Sequence, residues 1–488
     1  MESTEEWKPQ KENELPVYVQ IVRYIRGKIA AGEWPVGTLL PSQRTLADIF
    51  GVNRSTVVSA LEELAADGLV EGRVGSGTRV LNNTWSLLSS YSAPDWEGYV
   101  RSGIHLPNQN LIRAINQREF DPEVIRMGTG ELSPSLYPGD RMGKVLRSLS
   151  DRIPSMGYEQ GKGIAALRRQ VSDWLGTQGI DVSPDSVLIV SGALQAFQLI
   201  AWSLLKPGST VLVEKPSYLH SIRVFQSAGM QLSGLEMDRE GIRLEGVERH
   251  HRRQQPSLLY TTPTCHNPTG RVMSEKRRKE LMVYCRQTRL PLIEDDVYRE
   301  LYLDGLPPRP LKAEDPHGLI LYLGSFSKIL SPGLRIGWVV GPEPVVDRLA
   351  DIKMQADYGA SSLSQWTAAE WLAGGHHVEH GEEVRKALRE RRKAADLLLR
   401  QHLAGLADWE LPPGGFYIWL RLKREVPVHR LFEEALRRGV LLHPGSLYDP
   451  ADRRHLRLSF AYAPMEEWER GIRVLAELLQ AESSRGLS

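Results

Sequence analysis

A lysine amine does covalent chemistry where it meets an aldehyde, and one lysine of this chain stands in a setting that suits it. Lys328 ends the run SFSK at 325–328, just after a short apolar segment, and Arg335 follows shortly behind. The amine can form an imine with a carbonyl ligand, Arg335 can clamp a phosphate, and the hydroxyls of Ser325 and Ser327 can add hydrogen bonds. Asp295 follows the apolar run Pro291–Glu294. A carboxylate there can pair with a pyridinium nitrogen and keep the ring an electron sink. Tyr298, three residues on, and the amide of Asn267 in CHNPTG can both donate to a phenolic oxygen. In SGALQA at 191–196, a strand gives way to Gly192 and then to a helix. The first amides of that helix, at Ala193 and Leu194, suit a phosphate. Tyr218 in EKPSY follows the next apolar run, where it can stack on an aromatic ring.

Taken singly these fragments are ordinary. Asn-Pro-x-Gly is a turn signal, and a lysine after Ser-x-Ser is more often a surface residue than a nucleophile. Their order carries the information. Phosphate turn, stacking aromatic, Asn-Pro-Thr-Gly, Asp-x-x-Tyr, Ser-x-Ser-Lys and arginine occur at the ends of successive strands, where a parallel sheet binds ligands. Over residues 121–482 the set resembles the fold-type I aminotransferases. The resemblance implies pyridoxal 5'-phosphate (PLP) as cofactor, held as an internal aldimine on Lys328 with Asp295 as pyridinium partner. It also implies Asn267 and Tyr298 on the phenolic oxygen, with Ser325 and Arg335 on the phosphate. Tyr158 in MGYEQGKG matches the tyrosine that reaches the phosphate of a neighbouring subunit, which implies a homodimer with shared sites. Arg457 in HLRLSF matches the arginine that grips a substrate's α-carboxylate; its plainer reading is a solvated strand-end arginine.

The elements that must position these residues are legible as alternation. Short β-rich runs at Val187–Val190, Thr210–Val213, Leu258–Tyr260, Pro291–Glu294, Ile320–Leu323 and Ile336–Val340 are separated by helical or loop segments. This predicts a mostly parallel α/β sheet covered by helices. Residues 345–482 read as a smaller, mainly helical α+β lobe. No metal site is predicted.

Ahead of this region lies a different unit, residues 15–81. Val17, Ile21, Ile25 and Ile29 share one helical face, and Gly32 stops that helix. Ser42 caps a second helix that ends at Gly51; Asn53 caps a third that runs to about Asp67. Two short strands, LVEG and TRVL, flank a glycine-containing turn. This is the plan of a winged helix-turn-helix. The third helix would present Arg54, Ser55 and Thr56 to base edges and phosphates, with Arg44 over a phosphate. The wing residues Gly75 and Ser76, with Gly77, would let the backbone approach the duplex. From PSQRTLADIF to GSGTRV the unit resembles the GntR regulators; Val58 departs from the pattern, where many relatives carry a second arginine. The unit holds seven Lys/Arg against six Asp/Glu, so the expectation of duplex DNA as partner rests on the motif and not on bulk charge.

A net charge of +1 over 488 residues argues against a mass electrostatic binder. Two cysteines and no long apolar run predict a cytoplasmic protein without a membrane span. Residues 1–14 read as a disordered leader and 82–120 as a linker that packs partly on one domain. A GntR-like head on an aminotransferase-like body resembles the MocR/GabR regulators, which implies that PLP, or an amino acid or amine acting through it, is sensed. Two alternatives stay open: a working aminotransferase of an α-amino acid, and a regulator of vitamin B6 supply answering to PLP itself.

Overall fold

The computed structural model describes residues 7–10, 15–73, 77–82, 96, 108–150, 153 and 157–485. They divide into two compact units, residues 1–103 and 104–488.

In the first unit the apolar spacing produces α1 (Val17–Ala30), with Ile21, Ile25 and Ile29 buried. Helix α2 (Gln43–Phe50) starts where the Ser42 hydroxyl accepts the Thr45 amide. It stops at Gly51, whose φ of +65° lies in the left-handed region that favours glycine. Helix α3 (Arg54–Ala66) begins three residues later. Asn53 holds the predicted cap position, but its side chain makes no capping bond. Its backbone carbonyl instead accepts the Thr56 amide at 3.0 Å. Strands β1 (Val70–Arg73) and β2 (Gly77–Val80) pair antiparallel, Val70 opposite Val80. The tip between them, with Gly75 and Ser76, lies outside the described residues.

The leader is not free throughout. The Trp7 ring stacks on Tyr24 at 4.2 Å and meets Phe50 edge-on at 5.6 Å. The Gln10 amide donates to Gln20 Oε1 at 3.0 Å, and Gln20 Nε2 donates back to the Gln10 carbonyl at 2.9 Å. The reason is apolar: a tryptophan at position 7 finds the aromatic end of α2.

The second unit is built on an eight-stranded sheet, in the order β4-β11-β10-β9-β8-β5-β6-β7. The strands are β4 (Val187–Val190), β5 (Thr210–Lys215), β6 (Gln231–Asp238), β7 (Gly241–Ile242), β8 (Leu258–Thr261), β9 (Leu292–Asp295), β10 (Ile320–Ser325) and β11 (Gly337–Val340). Neighbours from β10 through β9, β8 and β5 to β6 run parallel, while β11 pairs antiparallel with both β10 and β4. Five of the six strands that answer to the predicted runs are buried along their whole length, as strands covered on both faces require. Strand β6 was not anticipated, because Gln231, Ser233, Gly234 and Glu236 hide its period.

A second, antiparallel sheet follows the order β12-β13-β16-β15, from Ala407–Asp408, Tyr417–Leu422, His455–Ser459 and His443–Pro444. The C-terminal lobe also recruits chain from far upstream. Strand β3 (Ile125–Arg126) pairs parallel with β14 (Val440–Leu441). Further, a helix at Asn110–Arg118 buries Leu111 and Ile115 in this unit's core. The boundary between units therefore falls at 103/104 and not at 120. Among the described residues no helix is long and apolar enough to cross a membrane.

Trp7→Ala is expected to destabilise the first unit by roughly 1–2 kcal/mol, the scale of a half-buried aromatic. Amide exchange of α1 in the full chain measures this. Unchanged protection would mean that Trp7 contributes nothing.

Candidate cofactor site

The carboxyl ends of β4, β5, β8, β9 and β10 deliver their following loops to one cavity of about 720 Å³. It is lined by Gly192, Ala193, Leu194, Tyr218, Asn267, Asp295, Tyr298, Ser325, Ser327, Lys328, Arg335 and Arg457. Residues as far apart in sequence as Gly192 and Lys328 thus meet because the strands of one sheet end together. Lys328 Nζ donates to the Gly130 carbonyl at 2.8 Å and lies 5.9 Å from the centre of the Tyr298 ring.

Asp295 is an incompletely partnered acid in the cavity. It is 5% exposed; Oδ2 accepts from the Tyr260 hydroxyl at 2.8 Å, and Oδ1 is buried without a hydrogen-bond partner. Burial raises its carboxyl from 3.8 to about 6, against the pull of the Tyr260 hydroxyl. A buried carboxylate oxygen facing a cavity invites a cationic N–H, which is what a pyridinium offers. The donor set of the cavity therefore fits PLP.

The phosphate side is shaped by close approach. Gly192 has φ +83°, and a Cβ on it would lie 2.7 Å from an Arg335 nitrogen. Arg335 itself adopts φ +53° and donates to the Ser191 carbonyl at 2.8 Å. A non-glycine residue in that region is strained by roughly 1–2 kcal/mol, and the strain brings the guanidinium beside the free amides that open the Ala193–Leu204 helix. The Ser325 hydroxyl accepts the Ser327 amide at 3.1 Å and donates to the Ile336 carbonyl at 3.2 Å. Burial pushes the Tyr218 phenol up to about 12, so it stays neutral.

Across the cavity, Arg457 donates to Asn267 Oδ1 at 2.8 Å and to the Gly128 carbonyl at 2.6 Å. Its guanidinium carbon lies 4.1 Å from the Tyr417 ring centre and 4.8 Å from that of Tyr448. Asn267 Nδ2 in turn donates to the Tyr298 hydroxyl at 3.4 Å. The plainer reading of Arg457 as a solvated strand-end arginine is overturned: it is 5% exposed.

Tyr158 alone of the expected cofactor residues stands apart. It is 85% exposed and packs at 4.9 Å from Tyr358. In the other unit Arg44, Arg54 and Ser55 are exposed and Thr56 is half-buried; the Arg54 guanidinium donates to Gln43 Oε1 at 3.1 Å.

Sequence reasoning missed Tyr260, Tyr417, Tyr448 and His443, and the wall formed by Ile112, Ile115, Asn116 and Glu119 of the segment read as linker. Tyr417 had one available signal. It is two residues from Trp419, which opposes Arg457 in the β13–β16 register, so a period of two puts it on the same face. Nothing in GSLYDP marks Tyr448.

Asp295→Asn tests the uncompensated carboxyl. Below about pH 4 the aspartate is protonated folded or unfolded, and the variant gains nothing from losing the charge. As pH rises from about 4 to about 6 the unfolded chain ionises while the folded wild type resists, so the ligand-free variant becomes the more stable, by roughly 3 kcal/mol at pH 8. PLP should reverse that order. Denaturant unfolding across pH measures it; a pH-independent difference would contradict the assignment.

Comparison with known proteins agrees with this geometry. Residues 123–475 match the family described as aminotransferase class I and II, and residues 17–80 match the bacterial regulatory proteins of the gntR family. The HTH-type transcriptional regulator YisV of Bacillus subtilis (strain 168) is 53% identical over 472 residues, covering 97% of this chain and 98% of YisV. The HTH-type transcriptional regulator NorG of Staphylococcus aureus (strain USA300) is 32% identical over 438 residues, 88% of this chain and 96% of NorG. Among solved structures, the kynurenine aminotransferase of Pyrococcus horikoshii superposes with a TM-score of 0.75 at 29% identity, over 81% of this chain and 99% of that one. LysN, the alpha-aminoadipate aminotransferase of Thermus thermophilus, gives 0.73 at 30% identity, over 80% and 100%. With a gntR-family head and an aminotransferase class I and II body in one chain, the protein belongs to the MocR/GabR-type regulators.

Proposed function

We propose that this chain is a DNA-binding transcription regulator that holds PLP in the cavity and answers there to an amino acid or amine. The observation that carries the reading is the pairing, in one cavity, of Lys328 with the unpartnered Oδ1 of Asp295, on a chain with a gntR-family head. When bound, PLP supplies an aldehyde toward primary amines and an electron-poor ring.

The residues have distinct tasks. Asp295 balances the ring nitrogen, and Asn267 and Tyr298 direct their polar atoms at the phenolic oxygen. Tyr218 stacks on the ring. Arg335, Ser325, Ser327 and the amides from Gly192 to Leu194 hold the phosphate. Lys328 Nζ provides the amine and can take and return a proton as a general base. Arg457 orients a carboxylate. Tyr158, exposed on its own chain, serves the site of a second copy, so the working unit is a homodimer. In the head, Arg44, Arg54, Ser55 and Thr56 contact the operator, with Gly75 and Ser76 at the wing.

The effector can shift operator binding only through different affinity for two arrangements of the protein. The Asn110–Arg118 helix supports such a link. It lines the cavity, and it is the first helix of the second unit after the segment that leads from the head. A second reading, steady transamination, is favoured by one observation: every residue assigned to chemistry is retained.

Turnover separates the two. Protein with PLP, an amino donor and 2-oxoglutarate should form no product beyond one equivalent per site; sustained product at ordinary enzyme rates, around 1 per second or more, would establish the aminotransferase. A PLP titration then isolates the site. Lys328→Ala should leave the absorbance of added PLP as it is in buffer, whereas wild type changes it; an unchanged spectrum in wild type would refute the cavity. If PLP alone alters operator binding while no amino acid perturbs that absorbance, the protein answers to PLP itself.

A further inference from the structure

Among the polar groups that line the cavity without a task in the reading above, His443 stands beside the effector arginine. His443 of β15 opposes Arg457 of β16 directly in the antiparallel register, so their side chains share a face. The two are 6% and 5% exposed, and both line the cavity. The imidazole packs against a bare backbone. A Cβ on Gly128 would lie 2.1 Å from His443 Nδ1, so only glycine fits beneath the ring. Gly128 also accepts Arg457 through its carbonyl, which ties the imidazole and the guanidinium to one residue.

The two ring nitrogens differ. Nδ1 is buried and has no hydrogen-bond partner. Nε2 bonds to no described group, and the residue lines the cavity. Burial, and then the charge of Arg457, hold the imidazole well below its ordinary pKa. The ring is neutral and carries one proton. On Nδ1 that proton would be a buried donor without an acceptor; on Nε2 it points at whatever the cavity binds. His443 therefore offers a neutral N–H donor beside a guanidinium that still has hydrogens to give. Such a pair suits a carboxylate and repels an ammonium.

We propose that His443 is a specificity-determining residue that donates Nε2–H to the carboxylate held by Arg457, and so selects α-amino acids over amines without a carboxylate. The proposal rests on the reading that the effector binds in this cavity.

The test uses full-length, PLP-loaded protein as wild type, His443→Val and His443→Gln. The twenty common L-amino acids are titrated by the absorbance of bound PLP, and each one that responds is compared with the amine lacking its carboxylate. Wild type should prefer the amino acid. His443→Val should weaken it roughly 10- to 100-fold, the value of a hydrogen bond to a charged group, and weaken the amine less than about twofold. His443→Gln, with an amide N–H in reach of the same point, should recover most of the loss. A wild type that prefers the amine, or a His443→Val that weakens both ligands equally or neither, overturns the proposal and leaves the cavity reading standing. A wild type that responds to no amino acid and no amine overturns both. Nitrogen-15 spectra of labelled histidine in wild type decide the matter even where a variant does not fold. The neutral Nε2–H tautomer is expected, and a proton on Nδ1 overturns the proposal.

Discussion

The second unit is organised around a carboxylate that the protein alone does not neutralise. Three consecutive acids stand at the end of β9, Glu294 and Asp295 within it and Asp296 just after, and alternation sends neighbours to opposite faces. Glu294 accepts the amides of Leu311 and Lys312, both at 2.8 Å, and Asp296 is met by Arg299 and Tyr322. Asp295, facing the cavity, has only neutral donors, the Tyr260 hydroxyl and the Val297 amide, and no cation. Leaving a carboxylate in that state is unfavourable, and the arrangement makes sense where a cationic ring completes it. The lysine amine, the strained Arg335 and the Arg457 cage surround the same space: Lys328 and Arg335 stand in the loop between β10 and β11, and Arg457 comes from β16 of the second sheet.

Much of this was legible because chemistry and topology coincide in chain order. Six strands were readable as apolar runs, and the residues that could do chemistry lie at or after the ends of five of them. The two glycine-stopped helices of the head were readable for a comparable reason: Gly51 adopts the left-handed conformation the turn requires. What escaped depended on contacts between distant segments. Tyr448 and His443 acquire their positions only when β15 and β16 pair, and Trp7 only when it meets Tyr24 and Phe50. The Asn110–Arg118 helix escaped because only Leu111 and Ile115 turn fully inward; polar neighbours gave the stretch the composition of a linker.

That helix changes how the two halves of the chain are understood. A segment composed like a spacer is a wall of the cavity, so a ligand that touches Ile112, Asn116 or Glu119 touches the chain that leads back to the head. Glu119 is further held by the Thr129 hydroxyl at 2.7 Å, one residue from Gly128 and Gly130, whose carbonyls accept Arg457 and Lys328. Arg457, Lys328 and the wall helix are thus joined through residues 119–130. Coupling needs no longer path than this within the second unit.

The central claim is that the state of this cavity sets the affinity of the head for DNA. The most direct measurement selects genomic fragments with the full-length protein and then follows the best fragment by fluorescence anisotropy, with PLP and each amino acid, for wild type and Lys328→Ala. The account predicts that at least one amino acid changes the wild-type Kd by about fivefold or more, and that Lys328→Ala binds the same fragment without responding. A Kd indifferent to every ligand, or a Lys328→Ala protein that responds as wild type does, would contradict it.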